Sequence, residues 1–266
     1  MQVRPGFAAA AESLMRRRSS HLNRFGSRPG SSTAQAGGAT YPIDAQRVES
    51  YVMFVSCAIS NAGSKALSKS GLRATMRAQR QALSATEQCA SAMRLVSNLL
   101  RLGAFINSRR IAGYYPNDGE IDPRPAMLAA WEMAKSIYLP VLYRARRREL
   151  RFAPFTVDTR LHVNRFGISE PRVAWNRCLR PIELDLILVP LVAFDKHGSR
   201  IGMGGGFYDR SFAYLSQRRH WRRPRMIGLA HELQRVHHID RDHWDIPLDG
   251  ILTDRRFYDM STPVDD

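Results

Sequence analysis

Asp185-Leu-Ile-Leu-Val-Pro190, followed ten residues later by Arg200-Ile-Gly-Met-Gly-Gly-Gly-Phe-Tyr-Asp209, decides how this chain folds. The first segment is an apolar run of strand length, the pattern of a strand covered on both faces. The second places four glycines in the five positions 202 to 206, just before a helical pattern that starts near Phe207. Glycines strip the backbone of side chains, so that main-chain N–H groups can close on a phosphate; a following helix adds the positive end of its dipole. Arg200 supplies a planar cation at one edge of the loop. Asp209 supplies a hard oxygen at the other, of the kind a nucleotide-borne Mg²⁺ takes. A glycine-rich turn with no ligand is the plain alternative, and the flanking Arg and Asp favour the phosphate site.

Working outward, strands are expected at Arg110–Tyr115, Ile137–Val141, Leu150–Phe155, Arg225–Ala230 and, last, Gly250–Thr253. Helices are expected over Ala66–Arg80, from the capping box Ser84-Ala-Thr-Glu87 to about Leu102, and from Asp122-Pro123 to about Lys135. The helix after the glycine loop runs to about Arg219, and residues 156 to 182 read as an irregular excursion. Alternating strands and helices imply an α/β fold, a mostly parallel sheet with helices on both faces, in a single folded domain over residues 65–266. Ligands in such sheets bind beyond the carboxyl ends of the strands. The glycine loop, Tyr115 to Glu120 and His231 all fall there, and are expected to share one crevice.

The chain has 266 residues, 44% apolar, with a formal net charge of +16. Arginine clusters at 16–18, 146–148, 218–219 and 222–223 carry much of that charge. They read as solvated faces, and no nucleic-acid-binding pattern accompanies them, so an anionic small substrate is favoured over nucleic acid. Cys57, Cys89 and Cys178 are too scattered for a disulfide framework or zinc site; Cys89 reads as a core filler. No apolar run is long enough to span a bilayer. Residues 1–64 are basic and, up to Thr40, hold Glu12 as their one acid. They are expected to be a disordered extension, dispensable for folding and catalysis. The protein is expected to be a cytoplasmic monomer, with organellar import as the alternative if that acid-poor segment is a transit peptide.

Other groups with chemical potential are fewer. Glu120 is expected to hydrogen-bond substrate N–H groups, with Asp122 capping the next helix. Asp245, in His243-Trp-Asp-Ile-Pro247, is positioned to share a metal ion with Asp209. Lys69 and Arg73, four apart on a helix, share a face that can grip a polyphosphate. His231, His237 and His238 lack zinc-site spacing and read as surface or ordinary polar residues. No serine nucleophile elbow is present, so the chain looks built to stabilise phosphoryl charge.

Together these residues resemble the 5-formyltetrahydrofolate cyclo-ligase (5,10-methenyltetrahydrofolate synthetase) family. The pieces occur in order: Lys69-Ser-Gly-Leu-Arg73 with Arg80 and Leu83-Ser84; Tyr115-Pro-Asn-Asp-Gly-Glu-Ile-Asp122; Phe166-Gly-Ile-Ser-Glu-Pro171; Asp185 to Tyr214; Ile227-Gly-Leu-Ala230, Gln234 and His243–Pro247. The resemblance implies ATP-dependent cyclisation of 5-formyltetrahydrofolate, with release of ADP and phosphate through a phosphorylated formyl intermediate. It implies ATP contacts from Lys69, Ser70, Gly71, Leu72 and Arg73, and from Arg200, Ile201, Gly202, Met203, Gly204, Gly205, Gly206, Phe207 and Tyr208. Arg200 and Lys69 would be catalytic. Tyr115, Glu120, Met203, Gly204, Gly205, Gly206 and Phe207 would meet the folate, and Asp209 and Asp245 would hold Mg²⁺. Met203 and Phe207 stand where many bacterial members carry tyrosine; Phe207 keeps the ring and Met203 does not.

Overall fold

Alternate residues of the apolar strands face opposite ways, and that alternation builds two cores. In the computed structural model, which describes residues 68–142, 149–217, 223–242 and 244–260, all the described residues belong to one compact unit, Leu67–Asp266. The expectations for residues 1–64, Cys57, His243 and most of the arginine clusters lie outside the described residues.

Seven strands form the main sheet: β1 (Arg110–Ala112), β2 (Ser136–Leu142), β3 (Leu150–Phe155), β6 (Leu186–Pro190), β9 (Arg225–Ala230), β10 (Gly250–Thr253) and β11 (Phe257–Asp259). Their order is β11-β10-β9-β6-β1-β2-β3. The pairs among β2, β1, β6, β9 and β10 are parallel; β3 and β11 join the two edges antiparallel. On one face Leu186, Leu188, Ile111, Ile137 and Ile227 pack against three helices: α2 (Ala85–Leu99), α3 (Gly103–Ile106) and α4 (Arg124–Glu132). On the other, Ile187, Val189, Met226 and Phe152 pack against Phe212 of α5 (Phe207–Phe212). The mostly parallel, two-sided α/β sheet is therefore as the sequence implies.

The boundaries differ in informative ways. The first helix, α1, runs Lys69–Gln81, with Ser68 accepting from Gly71 N–H as its cap. Asp122 does accept from the Arg124 N–H at 2.8 Å, but Pro123 is the cap residue and α4 begins one residue later than expected. Residues 156 to 182 are not wholly irregular: Leu161–Val163 (β4) and Ser169–Pro171 (β5) pair as a hairpin around the Asn164–Gly167 turn. A second hairpin, Ala193–Phe194 (β7) with Arg200–Ile201 (β8), separates β6 from the glycine loop. The loop thus leaves a two-residue strand rather than the central one. Gly250–Thr253 is followed by one more strand, β11. Cys89 is exposed on the flank of the buried stripe Ser91, Ala92, Leu95, Val96 and Leu99, not inside it. Among the described residues no helix is long and apolar enough to cross a membrane.

The capping box opening α2 is complete: Glu87 N–H donates to Ser84 Oγ at 3.3 Å, and Ser84 N–H to Glu87 Oε2 at 2.8 Å. Both groups are exposed, so the bonds themselves carry the effect. Ser84→Ala is expected to lower stability by about 1 kcal/mol in urea unfolding; an unchanged midpoint would contradict this.

Candidate active site

A cavity of about 520 Å³ opens beyond the carboxyl ends of β1 and β6. Four stretches singled out in the sequence, far apart along the chain, help to line it. The start of α1 contributes Lys69, Arg73 and Arg77; the segment after β1 contributes Tyr114, Tyr115, Asn117, Asp118 and Glu120. Every residue from Arg200 to Asp209 faces it, and Asp242, Trp244 and Asp245 close the far side. The structure therefore gathers Lys69, Arg73, Tyr115, Glu120, Arg200–Asp209 and Asp245, as expected of one crevice, but not His231, which was expected there and does not line it. Ser70, Gly71 and Leu72 stand apart from the lining: the Ser70 hydroxyl pairs with that of Ser68, and Leu72 packs on the cluster of Met76, Val192 and Ile201.

The glycine loop takes its shape from backbone that side chains resist. Gly204 and Gly206 have φ of +90° and +60°, and Gly206 is the left-handed cap of α5. α1 grips the loop, since Arg73 Nε donates to Gly202 O at 2.8 Å.

The two cations expected to be catalytic, Lys69 and Arg200, are already paired. Lys69 Nζ meets Asp242 Oδ2 at 2.5 Å. Arg200, with a side chain only 7% exposed, donates from Nη2 to Asp209 Oδ1 at 2.6 Å and from Nη1 to the Ile246 carbonyl. Burial pulls the Arg200 guanidinium below its ordinary pKa, while Asp209 and Asp245 oppose that shift. Asp245 Oδ2 accepts the Asp242 N–H at 3.0 Å. Asp209 Oδ2 and Asp245 Oδ1 are carboxylate oxygens that these contacts leave open to a cation, and Asp242 Oδ1 beside them is another.

Glu120 lines the same cavity from the segment after β1. Burial pushes its carboxyl up to about 7, against the Asn117 N–H, which donates to Oε2 at 3.1 Å, and Arg80. Tyr114, also buried, donates to Ile121 O at 2.8 Å and steadies the same segment. Tyr115 lies under the Arg124 guanidinium, 5.2 Å from ring centre.

Several lining residues escaped the sequence reading. The β4–β5 hairpin brings Asn164, Phe166, Ile168, Ser169 and Glu170 to the cavity, and the Phe166 ring meets Phe207 edge-on at 5.8 Å. Glu170, 5% exposed, accepts from Leu142 N–H and Asn164 Nδ2. Its place in Gly167-Ile-Ser-Glu-Pro171 was the one signal that pointed there. His231 is not a surface residue: it is 2% exposed, with Nε2 3.3 Å from the Gly119 carbonyl.

The profile of the 5-formyltetrahydrofolate cyclo-ligase family matches residues 65–254. The chain belongs to that family. It is 37% identical over 183 residues to 5-formyltetrahydrofolate cyclo-ligase of Haemophilus influenzae, covering 68% of this chain and 95% of that one. It is 32% identical over 184 residues to the Escherichia coli cyclo-ligase, covering 69% and 99%. Among solved structures it is similar to the 5,10-methenyltetrahydrofolate synthetase of Aquifex aeolicus, with a TM-score of 0.61 and 31% identity over 74% of this chain and 95% of that one. The cyclo-ligase match spans the four cavity-lining stretches and stops short of the basic N-terminal segment.

Proposed function

We propose that this cavity cyclises 5-formyltetrahydrofolate to 5,10-methenyltetrahydrofolate, with ATP and Mg²⁺, releasing ADP and phosphate. The observation that carries the reading is convergence: the cationic start of α1, the Glu120 segment, the glycine loop and the Asp209 and Asp245 carboxylates meet at one cavity, in a chain of this family.

The chemistry asks for positioning rather than a covalent nucleophile. A formamide oxygen is a poor leaving group until phosphorylated. The formyl oxygen attacks the γ-phosphorus, ADP leaves, and an imidoyl phosphate remains on N5. N10 then attacks the formyl carbon, phosphate departs with the C–O bond pair, and N10 loses its proton as the ring closes. Lys69, Arg73 and Arg200 hold charge against the γ-phosphoryl oxygens, and the loop amides supply neutral donors to the same group. Glu120 accepts N–H groups of the pterin and so sets where the formyl oxygen points. Two hard carboxylate oxygens fit Mg²⁺, which commonly takes one or two protein carboxylates together with nucleotide phosphates. Asp209 and Asp245 would hold it, and it would neutralise charge shared between the β- and γ-phosphates. No step here runs through a residue of the β4–β5 hairpin; its Phe166 ring, with Phe207 at the start of α5, offers an apolar wall for the aromatic body of the folate.

The test mixes the full chain with ATP, Mg²⁺ and 5-formyltetrahydrofolate and follows the absorbance of the methenyl product. Product that requires all three components is the expected result. Folded protein that makes none would overturn the reading.

A further inference from the structure

Glu120 stands on a segment that is held from behind. Asp118 and Gly119 both take positive φ, 50° and 72°. A Cβ on Gly119 would come within 3.0 Å of the Arg80 backbone, so this turn lies directly on the end of α1. The Gly119 carbonyl then accepts from two separate elements. Gln88 Nε2, on α2, reaches it at 3.3 Å and also donates to Arg80 O at 3.1 Å. His231 Nε2, just past β9, reaches it at 3.3 Å.

A carbonyl can only accept, so the His231 nitrogen facing it carries the proton. Burial holds the imidazole below its ordinary pKa, which favours the neutral ring. His231 is itself fixed: its backbone N–H donates to Gln234 Oε1 at 2.8 Å, and buried Gln234 donates to Leu191 O at 2.6 Å and Val192 O at 2.9 Å. His231 does not line the 520 Å³ cavity. Its influence on the site must therefore pass through Gly119. The peptide unit joining Gly119 to Glu120 is planar, so fixing the carbonyl oxygen also fixes the Glu120 N–H and Cα. That N–H donates to Asn117 O at 2.9 Å, while the Glu120 carboxyl accepts from Asn117 N–H.

We propose that His231 and Gln88, through the shared Gly119 carbonyl, are positioning residues that aim Glu120 at the folate. This rests on the reading above that Glu120 meets the folate. Neither residue touches the substrate; each removes a direction in which the Glu120 peptide could swing.

The test compares steady-state kinetics of the full-length protein with those of His231→Phe, His231→Gln and Gln88→Leu, together with melting temperatures. His231→Phe keeps bulk and removes the donor, and is expected to raise the folate KM about fivefold, the effect of losing one hydrogen bond. The ATP KM should stay within about twofold. His231→Gln, which restores a terminal N–H, should recover most of the loss. Gln88→Leu, on a half-exposed side chain, should act in the same direction by about threefold, and decides the matter alone if His231→Phe does not fold. In a Glu120→Gln background, His231→Phe should add little, because both act through one carboxyl. Folate and ATP KM values that rise together, a folate KM unchanged in both the His231→Phe and Gln88→Leu variants, or a full effect in the Glu120→Gln background would each overturn the proposal. An inactive wild-type protein would defeat the proposed function instead, so the two failures are distinguishable.

Discussion

Asp209→Asn is expected to lower turnover about a hundredfold, on the order of 3 kcal/mol of lost transition-state stabilisation. Asp209 lies in the first turn of α5, and its Oδ1 takes the Arg200 guanidinium at 2.6 Å. Asparagine keeps the size but removes the charge, which affects two things at once. The buried Arg200 loses its counter-ion, and the oxygen left for a cation loses most of its attraction. A capping role would give a different result, because asparagine caps nearly as well as aspartate. The cap of α5 is Gly206 in any case, with no side-chain cap hydrogen bond. The measurement is turnover across a Mg²⁺ titration, with folding followed by circular dichroism. A folded variant with near-normal turnover and an unchanged Mg²⁺ dependence would make Asp209 a counter-ion to Arg200 and nothing more.

Glu120→Gln should change both stability and folate binding, each with its own pH dependence. Burial lifts the Glu120 carboxyl from an ordinary 4.5 to about 7 in the folded protein. A raised carboxyl pKa means that the folded state prefers the protonated form. Its contribution to stability is therefore complete below about pH 4.5 and lost as pH rises through 7. Glutamine has no proton to lose, so the variant gains on the wild type by up to about 3 kcal/mol between pH 4.5 and 8. Urea unfolding at the two ends of that range measures the gain, and parallel pH curves would show that Glu120 ionises at its ordinary value. Binding runs the other way. Substrate N–H groups need the carboxylate, so the wild-type folate KM should fall as pH rises through about 7. In the variant it should be higher and flat, with the ATP KM little changed.

The main sheet could be read because β6 is an apolar run of five residues and β9 carries another of five after Arg225. α2 could be read because Ser84 and Glu87 cap it reciprocally. The two hairpins could not: strands of two or three residues, such as Arg200–Ile201 and Leu161–Val163, are too short to show a period. That is why the β7–β8 hairpin between β6 and the glycine loop was not expected. The loop's facing residues were still legible, since a close backbone approach needs glycine wherever the preceding strand lies. Asp242 and His231 were hidden for another reason. Lys69 and Asp242 are 173 positions apart, and the burial of His231 depends on the Gly119 carbonyl, 112 positions away. Local composition carries no trace of such partners.

The whole chain has a formal charge of +16, but the cavity does not share its sign. Among the described residues four basic ones line it, Lys69, Arg73, Arg77 and Arg200, against six acids, Asp118, Glu120, Glu170, Asp209, Asp242 and Asp245. A bare polyphosphate arriving there meets a local excess of negative charge, with Lys69 and Arg200 already neutralised by their own partners. Positive charge that lies farther off acts only as a long-range field, which salt screens within about 8 Å at physiological ionic strength. Nucleotide would accordingly bind as a metal complex or by exchanging one ion pair for another, so affinity depends on what the ligand brings rather than on the basic surface it approaches.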